Sequence, residues 1–471
     1  MRWIAAHTWL LALIPLIAGI LLCYYTHFPI NLLADTEVDY LDCDTALCLH
    51  LVSEGQERPK TVRYSAEAED GSSVLLYLQR DSLEMPQMGD ILLVQTRVER
   101  GDTLGDFDYG KYLRMQGIVG SCWSARRNWQ VIGNKPITEL RAKAEQCQKW
   151  LHRQYIKMGI HEPELGILSA LTLGYREELN KDVQQSFSAA GAMHILAVSG
   201  LHTGIVWGII VWILTLGGLA KPLYEQRGWQ STLSILTLAA LWVYAFITGL
   251  SPSVMRSALM VTMVEAGWLF RRNSNSINSL AAAAVIILLV NPLALWSVSF
   301  QLSFAAVTAI ILVSKRMQQR VIIHGKVWQY IGGLLIVSVA AQIGTLPLNM
   351  YYFGQTSNYF ALTNLVVIPA AFVLLLLGIG SLAMSWCVVG GWLAEAAQWC
   401  THALRIFVQW IEGLPYSTTH MELSAWSVGL CYGAIGCALM MMRGKRVKWW
   451  WLVGVAGCLV GILLIESIKV V

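Results

Sequence analysis

Along most of this chain apolar residues come in unbroken runs. Windows of roughly 20 apolar residues, the length a helix needs to cross a bilayer, recur about eleven times. The first covers about 9–25, and the others fall near 192–218, 230–250, 253–270, 276–291, 295–314, 327–347, 360–386, 392–412, 424–442 and 449–468. No small-residue cleavage site follows the first run, so it reads as a retained anchor. The segment 392–412 is either a span or an amphipathic helix lying in the interface, because Glu395, His402, Arg405 and Glu412 interrupt it. Between about 35 and 190 no such window occurs. There TVRYSAEAE (61–69), SVLLYLQ (73–79) and DILLVQTRVE (90–99) are short β-like runs broken by Gly, Asp and Pro, which predicts a small β-barrel. The fold class is therefore a polytopic α-helical membrane protein carrying a β-barrel insert.

Composition agrees. Of 471 residues, 55% are apolar and 14% charged, and mean hydropathy is +0.51, against about 25% charged in a soluble domain. This excludes soluble, fibrous and disordered classes. Lys and Arg in short loops favour the cytoplasmic side. With Arg2 inside, Lys221/Arg227, Arg271/Arg272, Lys315/Arg316/Arg320/Lys326 and Arg443/Lys445/Arg446/Lys448 all fall on that side, which places the 35–190 insert outside. Residues 35–110 carry a net charge of −11 and 111–160 a net of +8. So acidic a barrel is no general phosphate sink. A polyanion would meet the basic stretch Lys111–Lys157 or a local face that the net charge hides. On a helix predicted over about 137–158, Arg141, Lys149, Arg153 and Lys157 serve either a polyanion or lipid headgroups. Most of the ten cysteines lie in apolar runs. Cys43, Cys48 and Cys122 lie in polar sequence, where Cys43 pairs with Cys48 or Cys122 or all stay free.

At 187–204 the chain reads FSAAGAMHILAVSGLHTG. Two histidines, a serine and several glycines at the head of an apolar span face a cavity or one another. At about 100° per residue His194 and His202 fall about 80° apart on one helix, so both face one lumen, with Gly200 letting the helix unwind beside Ser199. Asn291-Pro292, Pro347 and Pro369 read as helix breaks, which favour a pathway over an inert bundle.

HILAVSGLH is similar to the signature of the ComEC family of competence DNA-uptake channels, and it comes with further stretches in order. LGDFDYGKYLRMQGI (104–118) resembles the end of that family's external OB-like domain, although Leu104 stands where proline is expected. LTLGYREEL (171–179), SPSVMRSALM (251–260), NPLALWSVSFQLSFAAV (291–307) and LTNLVVIPAAF (362–372) fall where the family carries similar stretches. The resemblance implies an anchor helix (1–34), an external OB-like β domain (35–132), amphipathic or interfacial helices (133–190) and a competence-type transmembrane channel domain (191–471). It implies an inner-membrane channel passing single-stranded transforming DNA to the cytoplasm, with the β domain on the outer face. OB-type barrels commonly hold strands by stacking bases on aromatics.

Candidate lining groups of such a path are His194, Ser199, Gly200, His202, Arg256, Gln301, Gln342, Asn349 and Asn364. Arg256 either lines a mouth or snorkels to the interface, and Gln301 and Gln342 either touch substrate or bond between helices. Outside, Phe107, Tyr109, Lys111, Tyr112 and Arg114 either guide DNA or form a helix packed on the barrel. Many family members continue into a metallo-β-lactamase-like domain; with no HxHxDH, no nuclease, metal or cofactor is expected in this chain, which is not read as an enzyme. No GxxxxGK[ST] is present, so the expected partners, besides single-stranded DNA and membrane lipids, are a separate cytoplasmic motor or DNA-binding proteins, a DNA receptor outside and a nuclease in trans. Two other readings remain. A small-molecule or lipid transporter finds no inverted repeat in support. An intramembrane serine protease would use Ser199 with a histidine base, but side chains three apart on one helix meet poorly for that purpose.

Overall fold

Alternation of apolar and polar positions builds β1 (Asp44–Leu51), β2 (Thr61–Ala68), β3 (Ser73–Gln79), β4 (Asp90–Glu99) and β5 (Ile118–Ser124). The computed structural model describes residues 43–53, 55–57, 60–80, 85–99, 103–104, 107–108, 118–125, 128–135, 140–215, 227–269, 276–320, 324–443, 454–458 and 461–462, with single positions at 17, 110 and 113. They divide into two compact units, one built on 43–147 with 284–297, the other on 148–283 and 298–462.

In the first unit β1 pairs with β2, β2 with β3, β3 in parallel with β5, β5 with β4, and β4 back with β1. Five strands thus close into a barrel in the order 1-2-3-5-4, the arrangement of an OB fold. A sixth strand, β6 (Trp129–Asn134), adds to β4. Burial alternates along β4, with Leu92, Val94, Thr96 and Val98 inward and Leu93, Gln95, Arg97 and Glu99 outward. Leu49, Leu51, Leu76, Leu78 and Leu92 are fully buried in the core, each contributing about 1.5–3 kcal/mol of apolar burial.

The cysteines of this unit are free. Cys122 points into the barrel core, whereas Cys48 lies on the outward register of β1 and Cys43 is exposed just before it. Burial pushes the Cys122 thiol up to about 12, against a small opposing effect of the Thr96 hydrogen bond. Cys48 is raised by burial first and then by Glu69. At pH 8 only on the order of one part in ten thousand of Cys122 is thiolate. Maleimide labelling of the native protein followed by peptide mass spectrometry should therefore mark Cys43 first, Cys48 more slowly and Cys122 only after unfolding; equal labelling of Cys122 and Cys43 would contradict this core.

The helical unit starts in α1 (Leu140–Lys157), whose inward positions Gln148, His152 and Tyr155 are buried. In α2 (Glu164–Thr172) every residue is buried. A helix apolar nearly all round belongs in a core, so this part of 133–190 is no amphipathic surface helix. Then come α3 (Lys181–Ala189), α4 (Gly200–Leu214), α5 (Arg227–Ile247), α6 (Pro252–Leu269), α7 (Ser276–Val290), α8 (Val298–Ala309), α9 (Lys326–Phe353), α10 (Phe360–Ala383), α11 (Val388–Glu412) and α12 (Ala425–Arg443).

Among the described residues three helices are long and apolar enough to cross a membrane: α8 with its continuation to Gln319, α9 and α10. Gly200–Leu214, Ser231–Ile247, Ser276–Val290 and Ala425–Met441 are apolar but shorter. The expected spans at 9–25 and 449–468 fall almost wholly outside the described residues. Asn291-Pro292 does interrupt the chain, between α7 and a 3-10 turn at Pro292–Trp296. Pro347 and Pro369, expected as breaks, instead lie inside continuous α9 and α10. Membrane helices carry proline where neighbours re-satisfy the backbone, and here the Tyr432 hydroxyl donates to the Gly344 carbonyl just before Pro347 at 2.8 Å.

Two short strands settle the path of α11. β7 (Gln355–Ser357), between α9 and α10, pairs with β8 (Thr418–His420), which follows α11. Because α10 leaves from and α11 returns to one small sheet, the two form an antiparallel hairpin of 24 and 25 residues. Two of the polar residues of α11 that left 392–412 ambiguous turn to a partner within the unit, while Glu395 is exposed: the buried Glu164 carboxylate accepts from His402 Nδ1 at 2.8 Å and from Arg405 Nε at 3.1 Å.

Candidate functional site

The signature stretch does not open a helix at Ala192. Gly191 takes a φ of +78°, in the left-handed region that favours glycine, and residues 192–198 run as turns packed on the core. Ile195, Leu196 and Val198 are buried, while Met193 and His194 are exposed. Helix α4 begins at Gly200 with extended Ser199 as its N-cap. His194 and His202 thus do not share a helix, and the 80° argument for a common lumen falls. The reason is local: an apolar run reads as helical even where each residue is buried by a different turn.

The cap also brings together a pair the helical geometry would have kept apart. The Ser199 amide donates to His202 Nδ1 at 3.2 Å, and Ser199 Oγ lies 3.1 Å from the same nitrogen. An N-cap lies outside the helical spiral, so the side chain three residues on folds back over it. With Nδ1 accepting from an amide, the imidazole proton sits on Nε2. That nitrogen is buried and has no partner. No carboxylate orients His202, so the pair is a helix cap carrying an unanswered donor.

A cation stands beside it. Within LTLGYREEL, Tyr175 stacks on His152 at 4.4 Å and its hydroxyl donates to Glu177 at 2.9 Å. Lys149 holds Glu177 at 3.6 Å, and His152 Nε2 lies 2.9 Å from Glu178. Both acids are thus tied back to α1. Arg176, just before them in the chain, is exposed and makes no side-chain hydrogen bond or ion pair among the described residues. It is open to water, yet enough protein surrounds it that desolvation lowers its pKa from the ordinary guanidinium value, and it stays charged. Arg176 and His194 both lie within electrostatic reach of His202. Sequence reasoning quoted this stretch without choosing Arg176, because a YREEL run reads as a solvated turn; the signal was three charges in a row with only two oppositely charged anchors upstream.

The other expected lining groups scatter. Gly200 opens α4, where a Cβ would stand 3.3 Å from Ser257 Oγ on α6. Arg256 is buried and donates to Ser299 and Ser303 of α8, with its Nε unpartnered. Gln301 accepts from the Tyr352 hydroxyl at 2.8 Å, and Gln342 donates to Thr356 at 2.9 Å, so both bond between elements of the bundle. Asn349 is half-buried near the end of α9. Asn364 is buried on α10 with its carbonyl oxygen unpartnered, as is the Ser357 hydroxyl just before that helix. Of the nine, only His194, Ser199, Gly200 and His202 come together, with Arg176 as an unforeseen fifth.

In the barrel unit Phe107 lies on a two-residue strand paired at Leu104, while Tyr109, Lys111, Tyr112 and Arg114 lie outside the described residues. A different basic and aromatic row does appear. Arg63 on β2 is opposite Tyr77 on β3, and Tyr77 is opposite Trp123 on β5. Their sequence neighbours Tyr64, Leu76 and Cys122 are inward, so the three share the outer face, with Trp123 57% exposed. Extending the β4–β5 register by one sets the exposed Arg97 beside Trp123. Charge totals could not show this row, because it joins three strands far apart in sequence.

Comparison with known proteins gives the family. The competence protein family matches residues 171–446, which holds the Arg176 turn, the Ser199 cap and the helices after it. ComE operon protein 3 of Bacillus subtilis is 32% identical over 268 residues, covering 56% of this chain and 31% of that protein. Competence protein ComA of Neisseria gonorrhoeae is 29% identical over 44% of this chain and 28% of its own length. Recombination protein 2 of Haemophilus influenzae is 26% identical over 50% of this chain and 29% of its own. The chain thus spans under a third of the length of these curated relatives. No solved structure matches. With its signature turn, its capped helix and more than half its length matched by the family, the chain belongs to the ComEC-type competence proteins.

Proposed function

We propose that this chain is an inner-membrane subunit that moves single-stranded DNA into the cytoplasm during competence. The observation that carries the reading is the cluster of groups at Arg176 and His202. An unpaired guanidinium, an exposed imidazole and a helix N-terminus collect where the family's signature lies, and each of these favours a phosphate. Unanswered donors and acceptors at His202, Arg256, Ser357 and Asn364 add polar surface inside an otherwise apolar bundle, as a hydrated path needs. On the barrel, Tyr77 and Trp123 flanked by Arg63 and Arg97 form a row on which bases stack beside cations, a mode that tolerates any sequence. Neither unit supplies a nucleotide-binding loop, so a separate cytoplasmic motor or inner DNA-binding proteins, an outer DNA receptor and a nuclease in trans complete the scheme.

The test is internalisation of labelled DNA in a deletion strain complemented at equal protein levels. Arg176→Ala should lower uptake at least tenfold, with Arg176→Lys intermediate because it keeps charge and loses the planar fork. Trp123→Ala should weaken oligo(dT) binding by the purified full chain about 5- to 100-fold, the equivalent of one lost stack. Wild-type uptake by Arg176→Ala would remove the cluster from the pathway. Normal uptake by the deletion strain itself would end the reading.

A further inference from the structure

One carboxylate of the helical unit serves neither the Arg176 cluster nor any ion pair. Glu265 of α6 is 6% exposed. Its Oε1 accepts from Trp207 Nε1 of α4 at 3.1 Å and its Oε2 from Ser234 Oγ of α5 at 2.8 Å. Among the described residues no cation lies within ion-pair distance of it. Neither donor carries charge, so two hydrogen bonds orient the carboxylate without neutralising it. An uncompensated charge so deep in an apolar bundle is expensive and takes up a counter-cation or a proton.

Space for one is present. A small pocket of about 10 Å³, room for one water-sized occupant, adjoins Glu265 and is lined by Val211, Leu214, Leu233, Thr215, Ser234 and Thr237. The Thr215 and Ser234 hydroxyls spend their protons on Val211 O and Glu265, leaving oxygen lone pairs toward the pocket. Among the described residues no other titratable or charged side chain lines it: α4 contributes Thr215, α5 contributes Ser234 and Thr237, and Arg256 of α6 is occupied at Ser299.

The structure assigns to Glu265 and its three hydroxyl neighbours a binding site for a small monovalent cation, a proton or a sodium ion. Binding itself stands apart from the DNA reading; only its use in driving strand movement rests on that reading. Dicyclohexylcarbodiimide tests it on the full chain in detergent, because the reagent modifies protonated carboxyls in apolar surroundings: the carboxyl oxygen bonds to the carbodiimide carbon, the proton passes to its nitrogen, and rearrangement leaves a stable acylurea. Peptide mass spectrometry should find Glu265 modified. Slowing by sodium chloride but not by potassium chloride identifies sodium, and indifference to sodium identifies the proton. As a second readout, melting curves of wild type and Glu265→Gln should diverge as pH or sodium is varied. Absence of modification from pH 6 to 9, together with melting curves that shift in parallel, overturns the assignment. None of these readouts uses DNA, so failure here and failure of the uptake reading are separable.

Discussion

Replacing Glu164 with alanine should destabilise the helical unit by about 3 kcal/mol, toward the lower end of what breaking a buried ion pair costs because both cationic partners keep some contact with water. The carboxylate is buried and takes His402 at 2.8 Å and Arg405 at 3.1 Å across 238 and 241 residues of sequence. Removing it leaves the His402 imidazole and the Arg405 Nε without their acceptor, while Arg405 Nη1 keeps Gln409 Oε1 at 3.3 Å. Glu164→Gln keeps the shape and isolates the charge. Desolvation by itself raises the Glu164 pKa, but the hydrogen bonds from His402, its own backbone and Arg405 together outweigh it and hold the carboxyl below its ordinary value. A carboxyl depressed in the folded state contributes stability that is fully present above the unfolded value of about 4.3 and is lost as pH falls through the folded value. Thermal unfolding in detergent should therefore show wild type losing stability below about pH 4.3, and Glu164→Gln starting lower at pH 7 and losing less on acidification. Parallel acid profiles for the two proteins would show that the pair contributes nothing.

What the sequence discloses here is what depends on periodicity. DILLVQTRVE alternates and is β4 residue for residue, the apolar window at 327–347 sits inside α9, and that at 360–386 covers α10 and runs past its end at Ala383. What it hides depends on partners far along the chain. The segment 392–412 stayed ambiguous because its polar residues are answered by Glu164, which no local window contains. Arg63, Tyr77 and Trp123 become a row only through two strand registers. The signature turn is hidden for a different reason: HILAV satisfies a helical pattern, and only the left-handed glycine before it and the serine cap after it move the helix start to Gly200. Of the predicted site, the residues in contiguous sequence with that cap were legible, and those on separate helices were not.

Gly378→Ala should impair the protein while Gly380→Ala, two residues on in the same helix, should not. A Cβ at Gly378 would stand 2.6 Å from Thr172 Cγ2 and 2.9 Å from the Tyr155 hydroxyl, whereas at Gly380 its nearest neighbour is Leu393 Cδ1 at 3.6 Å. The first two distances are far inside van der Waals contact, and neither atom belongs to a side chain free to swing away. Thr172 is held by its own hydrogen bond to Leu168 O at 2.7 Å and shares a 3.0 Å bond with Tyr155, which is fully buried. Relief requires α10 to move off α2, or the Tyr155–Thr172 bond to break in a site with no water to replace it. Overpacking of this kind costs about 1–3 kcal/mol, and a buried hydroxyl left unpaired adds about 1–3 kcal/mol. The consequence reaches the candidate site, because Thr172 ends α2 and the next four residues carry the chain to Arg176. Gly378→Ala should thus lower the melting temperature in detergent and reduce DNA uptake per molecule of folded protein, and Gly378→Val should do both more strongly. Gly380→Ala should match wild type in both, or exceed it slightly in stability, since alanine is the better helix former by up to about 1 kcal/mol. If the two alanine variants behave alike, the close approach of α10 to α2 is not what holds the Arg176 turn in place.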